Sequence, residues 1–310
     1  MNRIIVPLLL ILLIQCALVA LVYWPQNASG PGAEPGALAT ANPAKVDEIR
    51  IGDEYDNEAV IRRVGELWLL PGLNNLPADS ARVEALLEGI LAAEPGWPVA
   101  ESAAAGQRFQ VADYHYKRRL ALLRRDKVLD TLYLGTAPVF RKVHARNDAS
   151  NAIYAIAFNS HDAPALNDAW LDPRLIQVRS PLSIAADAYS VHWQDGTWLS
   201  GTGGVPDERE LEALLDALGT LQVEGVPDGD DQRELAALEA DLYLEITSLQ
   251  GDMTLELFTL GGKHFVFSTR LPLFFKLSAY DYDRLTGIDF DLISGAAAAP
   301  GQEAATETAL

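Results

Sequence analysis

Cysteine is almost absent from this chain. The single one, Cys16, lies inside an uncharged apolar stretch, so nothing downstream can form a disulfide or carry thiol chemistry. Metal-ligand spacing is missing too. The five histidines, His115, His144, His161, His192 and His264, include no H-x-x-x-H pair, and no second cysteine exists to complete a site. His161 and Asp162 are adjacent, but sequence neighbours on a strand or loop rarely act together. Gly201-Thr202-Gly203-Gly204 has glycines but no phosphate-loop lysine; it reads as a loop joining strand to helix. Ser180, Ser183 and Ser190 stand in no nucleophile-elbow pattern. Carboxylates are so abundant that no pair can be singled out. No catalytic residue, cofactor or metal ligand is expected, and the chain does not read as an enzyme.

Basic residues are scarce as well. The chain has 24 Lys and Arg against 43 Asp and Glu, a net charge of −19. Such a surface repels nucleic acid and anionic lipid headgroups. That excludes a nucleic-acid binder and argues against a domain lying flat on a membrane.

What is present begins with residues 4–24, a run without any charge, rich in Leu, Ile, Val and Ala. As a helix it would be roughly 31 Å long, enough for a hydrocarbon core of about 30 Å. Arg3 precedes it. Tyr23 and Trp24 end it, where amphipathic rings favour the headgroup region. The expected topology is a single-pass anchor in the inner membrane, residues 1–3 cytoplasmic and the bulk periplasmic. A cleaved signal peptide is the competing reading; the apolar run exceeds the usual core of such peptides, and no small-x-small site closes it. Lipidation of Cys16 is a weaker alternative, because Gln15 stands where a small residue is needed.

Residues 25–44 are Pro, Gly, Ala and Asn with few charges, and read as a flexible linker. Residues 293–310 read as a disordered tail. Between them lies an internal duplication. Gly65-Glu66-Leu67-Trp68-Leu69, Leu76-Pro77-Ala78-Asp79 and Val83-Glu84-Ala85-Leu86-Leu87-Glu88 are echoed by Gly196-Thr197-Trp198-Leu199, Val205-Pro206-Asp207 and Leu211-Glu212-Ala213-Leu214-Leu215-Asp216. The tryptophans are 130 positions apart and the helices 128.

Each copy has a legible pattern. Residues 46–51 alternate apolar and polar, as a half-buried strand does; residues 59–61 and 67–70 continue as strands. Val83, Leu86, Leu87, Ile90 and Leu91 form one helical stripe, as do Leu211, Leu214, Leu215 and Leu218. Asp79 can cap the first helix. Asp207 and Glu210 have capping-box spacing at the second. Strands follow each helix, over 119–123, 128–134, 139–144 and 153–158 in the first copy, and over 242–247, 253–259, 264–268 and 273–277 in the second. Short helices near 166–171 and 279–285 close each copy. The expected class is α+β: two tandem repeats of antiparallel sheet with one packed amphipathic helix each, residues 45–176 and 177–292, after one N-terminal transmembrane helix.

These residues resemble a bacterial domain-of-unknown-function family, number 4340. The resemblance is carried by the strand at 46–51, Trp68 after its turn and Leu76-Pro77-Ala78-Asp79 leading into the 83–91 stripe. It continues through the Leu-x-Leu-Gly at 132–135, Tyr154-Ala155-Ile156 and Leu166-Asn167-Asp168-Ala169-Trp170-Leu171. It covers most of residues 46–290; the second copy departs from it after its helix. Family members look like single-span proteins with extracytoplasmic repeats, some encoded beside ABC transporters similar to those linked to gliding motility. The resemblance implies an accessory or scaffold role at a membrane complex, with the bilayer and a membrane protein as partners. It carries over no catalytic residue. The alternative class is a cell-envelope binding module for a glycan or peptide.

One stretch departs from the acidic background. Arg118, Arg119, Arg124, Arg125, Lys127, Arg141 and Lys142 crowd together with Lys117 and Arg146. If they share a hairpin face, they form a docking patch for an acidic partner or a glycan carboxylate. The plainer alternative is a solvated face whose charges blunt a sheet edge. The topology is directly testable: reporter fusions placed after residue 45 should behave as exported, and an active cytoplasmic-only reporter there would contradict the reading.

Overall fold

The alternation at 46–51 becomes β1 (Glu48–Asp53), which sends Ile49 and Ile51 into the core. The structure, a computed structural model, describes residues 38–295 together with Leu12 and Gln15. The expected anchor at 4–24, those two residues apart, lies outside the described residues, as do 25–37 and 296–310. Among the described residues no helix is long and apolar enough to cross a membrane.

The first half continues with β2 (Glu58–Val64), β3 (Leu67–Leu70), β4 (Leu76–Pro77) and helix α1 (Ser80–Leu91). A short excursion follows, with α2 (Ala103–Arg108), β5 (Val111–Ala112) and β6 (His115–Tyr116). Then come β7 (Arg118–Arg124), β8 (Lys127–Leu134), β9 (Val143–Asn147) and β10 (Ile153–Ile156). The second half holds β11 (Pro181–Ala185), β12 (Ser190–Gln194), β13 (Thr197–Ser200), α3 (Glu208–Thr220), β14 (Val223–Gly225) and α4 (Gly229–Leu235). It ends with β15 (Leu242–Ser248), β16 (Met253–Leu260), β17 (Lys263–Ser268), β18 (Leu273–Leu277), α5 (Ala279–Thr286) and α6 (Phe290–Ile293).

Two large antiparallel sheets result, and the class is α+β. Their strand orders are β10-β9-β8-β7-β1-β2-β3-β4 and β13-β12-β11-β15-β16-β17-β18-β14. In each, a three-strand meander (β1–β3, β11–β13) is joined through its first strand to the first strand of a four-strand meander (β7–β10, β15–β18). The added strand differs. β4 extends the first sheet beyond β3, whereas β14 extends the second beyond β18.

The tryptophans occupy the same register position. Trp68 pairs with Arg63 across β2–β3, and Trp198 with Trp193 across β12–β13. Their burial differs: Trp68 is 2% exposed, Trp198 only half-buried. β3 is flanked by β4, whose neighbour Ala78 donates its N–H to the Trp68 carbonyl at 2.8 Å. β13 has no strand beyond it among the described residues, and Trp198 instead meets Trp193 edge-on at 5.8 Å.

The helix stripes are as expected. Val83, Leu86, Leu87 and Ile90 of α1, and Leu211, Leu214, Ala217 and Leu218 of α3, are buried, each large side chain contributing about 1.5–3 kcal/mol. Asp79 and Asp207 cap them, each accepting two backbone N–H groups. The capping box at α3 is incomplete: the Glu210 carboxylate turns away to accept the Asp289 N–H, and the Asp207 N–H goes to Leu292 O.

Several expectations are corrected. Each half has more than one helix. Residues 92–117 and 226–241 insert α2 and α4, whose apolar residues join small satellite clusters around Tyr133 and Phe258. The strand expected at 139–144 begins at Val143, because Arg141 adopts a left-handed φ of 57° that no strand tolerates. Linker residues 38–44 are in part fixed: Leu38 is 1% exposed, and the Thr40 and Ala41 N–H groups donate to the Asp130 carboxylate at 2.9 and 2.6 Å. Of the expected tail, Ile293 is fully buried, and the Thr202 hydroxyl donates to the Ser294 carbonyl at 3.2 Å.

The Leu-x-Leu-Gly motif also has a physical reason. A Cβ on Gly135 would collide with the backbone carbonyls of Phe109 and Gln110, so only glycine lets the excursion pass so close to β8.

Residues 163–178 belt the two halves together. Ala78 bridges Leu171, and Val178 donates its N–H to Leu218 O at 3.0 Å. Inner residues of both sheets, both helix stripes and the belt form one continuous hydrophobic core. From the unequal tryptophan settings, Trp68→Ala should cost about 3–5 kcal/mol and Trp198→Ala clearly less. Urea unfolding of the two variants checks this; equal losses would show that the missing outer strand leaves Trp198 no less supported than Trp68.

Candidate functional site

The basic stretch does not close into one face. Arg118 and Arg119 are consecutive on β7 and so point to opposite sides of the sheet. Arg118 is half-buried and donates to Ala163 O at 3.1 Å and Lys117 O at 2.7 Å. Arg119 pairs with Glu58 at 3.0 Å, and its Nε is buried without a partner. Arg124, Arg125 and Lys127 form the β7–β8 tip at the other end of the strand, roughly 20 Å away. Arg141 and Lys142 precede β9, whose first residue lies at the Arg118 end. β7 and β8 are internal strands, so these charges blunt no sheet edge. The seven residues form three groups rather than one patch.

One of those groups contributes to a groove. It has a volume of about 510 Å³ and lies between α1, the 157–162 segment and Arg141. Arg82 stands in the first turn of α1, just after the Asp79 cap. Its guanidinium donates to Ala169 O at 2.6 Å and lies 5.2 Å from the Trp170 ring centre. Arg141 closes the far side, its guanidinium 5.4 Å from the exposed Phe140 ring. Asn159 and Asp162 line the rim, with the Asn159 side chain accepting the His161 N–H at 3.2 Å. Leu86 and Phe158 form the apolar floor, and the Phe158 ring packs in the space Gly89 leaves.

Two guanidinium groups, an amide and a carboxylate above an apolar floor suit recognition of an anionic group, since arginine can hold a carboxylate through two parallel hydrogen bonds. Composition did not single out Arg82. The signal was its position: a cation in the first turn of a helix opposes the helix dipole and needs another reason to be there. Among the described residues no three His, Cys, Asp or Glu side chains gather as metal ligands. The loop 201–204 satisfies itself, Gly203 and Gly204 donating to Ser200.

Elsewhere several groups are electrostatically perturbed, Glu48 and His144 among them. Glu48 is 3% exposed between Arg50 at 2.6 Å and Arg62 at 2.7 Å. Burial pushes its carboxyl up, but hydrogen bonds from the two guanidinium groups, with their charge, hold it below the usual range. His144 stacks on Phe109 at 4.1 Å. Burial lowers it, against the opposing pull of the Thr136 carbonyl.

A protein-family description, Domain of unknown function (DUF4340), matches residues 68–241, which is 174 of 310 residues. The matched segment runs from β3 to the residue before β15, with the 163–178 belt inside it. No curated protein and no solved structure matches the chain.

Glu48 and His144 contribute a pH dependence. Both folded values are depressed, so each group adds stability above its unfolded value and loses it as pH falls through the folded one. Urea midpoints should decline below about pH 6.5 as His144 is forced to charge, and again below about pH 4.5 as Glu48 protonates. Glu48→Gln should weaken the second decline without removing it. Burial pushes the Asp53 carboxyl up, but hydrogen bonds from Asn57 and the backbone hold it too below its usual range. An undiminished decline in that variant would assign the step to other carboxylates.

Proposed function

The chain belongs to the DUF4340 family, a domain of unknown function, and from that premise we propose that it is a membrane-anchored, extracytoplasmic accessory or scaffold protein of an ABC-transporter-type complex. The observation that carries this reading is where the fold takes hold. Leu38 is already buried, and the Asn147 side chain donates to its carbonyl at 2.8 Å. Only residues 25–37 separate it from the uncharged run at 4–24. Thirteen residues reach at most about 45 Å. A domain tethered so closely stays beside whatever its anchor accompanies in the bilayer. The shared strand order and the matched Trp68 and Trp198 registers support an origin of the two halves by duplication. A duplicated scaffold presents two related surfaces to its partners.

The groove of Arg82 and Arg141 favours a second reading, a cell-envelope module that binds a glycan or peptide carboxylate. The two readings separate by experiment. The full chain should resist carbonate extraction from membranes and crosslink in cells to an integral membrane protein. Release by carbonate, or crosslinks to soluble proteins only, would overturn the first reading. Saturable binding of a carboxylated oligosaccharide, lost in Arg82→Ala and Arg141→Ala, would establish the second.

A further inference from the structure

Residues 38–41 are held against the first sheet. Leu38 is held by Asn147, and the next residues by Asp130, three positions from the β7–β8 tip. Asp47 donates its N–H to Leu123 O and accepts the Arg63 N–H, which sets Lys127, Arg124, Asp47 and Arg63 in one row across the sheet. The β7–β8 and β2–β3 tips therefore project from the same end, about 10 Å apart.

The character of that end is unusual for this chain. Arg124, Arg125 and Lys127 are exposed and have no carboxylate within ion-pair distance among the described residues. Val128 is 52% exposed beside them, and Val64 and Leu67 at the other tip are 56% and 57% exposed. Several acidic groups there are engaged: Asp47 accepts the Arg125 N–H, Glu66 sits 3.7 Å from Arg63, and Asp148 sits 3.9 Å from Arg146. Asp126 lies within the β7–β8 tip itself, and Glu84 and Glu88 of α1 line a pocket with Arg63, Ala41, Pro43 and Ala44. Cations flanking exposed aliphatic side chains match an anionic bilayer surface, where charge is attracted to headgroups and short apolar side chains enter the interface.

We propose that this end of the first sheet docks edge-on against anionic phospholipid, holding the domain upright beside its anchor. The inference rests on the anchored reading above. The acidic bulk of the chain is repelled by the same surface, which confines contact to the two tips. An acidic protein partner would also be drawn to Arg124, Arg125 and Lys127, but it gives no reason for the exposed valines and leucine at the same end of the sheet.

The test uses the full chain in nanodiscs of phosphatidylcholine, with or without one quarter phosphatidylglycerol. A fluorophore is placed at Ala149→Cys, in the turn beside Asn147, or at Tyr55→Cys, at the opposite end of the sheet, both in a Cys16→Ala background. Headgroup-attached quenchers should reach the first label and not the second. The difference should require phosphatidylglycerol, weaken in high salt, and fall about tenfold in Arg124→Glu/Arg125→Glu/Lys127→Glu. The milder glutamine triple variant, with unchanged thermal unfolding, should show a partial loss. Equal quenching at both labels, or quenching indifferent to lipid charge, would overturn the docking even with the chain firmly inserted. If carbonate instead extracts the chain, the anchored reading falls. Co-sedimentation with preformed phosphatidylglycerol vesicles then decides the docking alone, sustained by a loss in the charge-reversed variant and refuted by its absence.

Discussion

The belt at residues 163–178 is the constraint on which the two halves depend. Trp170 is fully buried in the core, its indole N–H donating to Pro164 O at 2.8 Å. The neighbouring residues reach in opposite directions. Asn167 accepts the Val60 N–H at 3.2 Å, and its side chain occupies the space left by Gly72, both in the first half. Asp168 pairs with Lys276 at 3.2 Å and lies against Gly225, both in the second. A side chain at either glycine would strike the belt, Gly225 doubly so with its φ of 155°. The Leu-Asn-Asp-Ala-Trp-Leu motif thus works as a clasp between the halves. A connection that is itself core couples the unfolding of the halves, because neither can open without exposing apolar surface of the other.

Against that common clasp, the two sheets differ at their margins. The same meander order is built twice, yet one sheet is extended beside its tryptophan hairpin and the other at the far edge. The consequence reaches the side chains. Where β4 covers β3, Trp68 is sealed in and Arg63 lies over its ring at 5.7 Å. Where β13 is the outer strand, a second tryptophan stands in the arginine's place. Matching sequence positions acquire different environments because β4 turns back onto β3 a few residues later, whereas no described strand lies beyond β13.

Charge is organised by the fold more than by local clustering. A run of basic residues continuous in sequence is divided by strand alternation and by strand length into groups that meet different neighbours: Glu58, a groove and a hairpin tip. Of these groups, those at the groove and the tip leave cations out of ion pairs among the described residues. Glu48 shows the reverse, a carboxylate removed from water and balanced by two arginines, one on its own strand and one across from it.

Much of the architecture was legible in the sequence because it depends on periodicity. The stripes of α1 and α3, the Asp79 and Asp207 caps, the meander from β15 to β18 and the hairpin of Trp68 follow from residues within a few positions of one another. The strands at 181–194 were not anticipated, since their side chains alternate weakly and only pairing with β15, with each other and with β13 defines them. Likewise, composition assigned residues 38–44 to a linker, and only the distant Asp130 and Asn147 hold them. Of the groove, Arg141 was visible as part of a basic run, whereas Arg82 and Asn159 were not. Their convergence depends on the approach of α1 to the 157–162 segment, across about seventy residues of chain. Local sequence determined which segments form strands and helices and which faces they bury. Tertiary structure alone decided which cations meet, which tryptophan is sealed and where residues 38–41 are held, because those outcomes depend on how separate segments pack together.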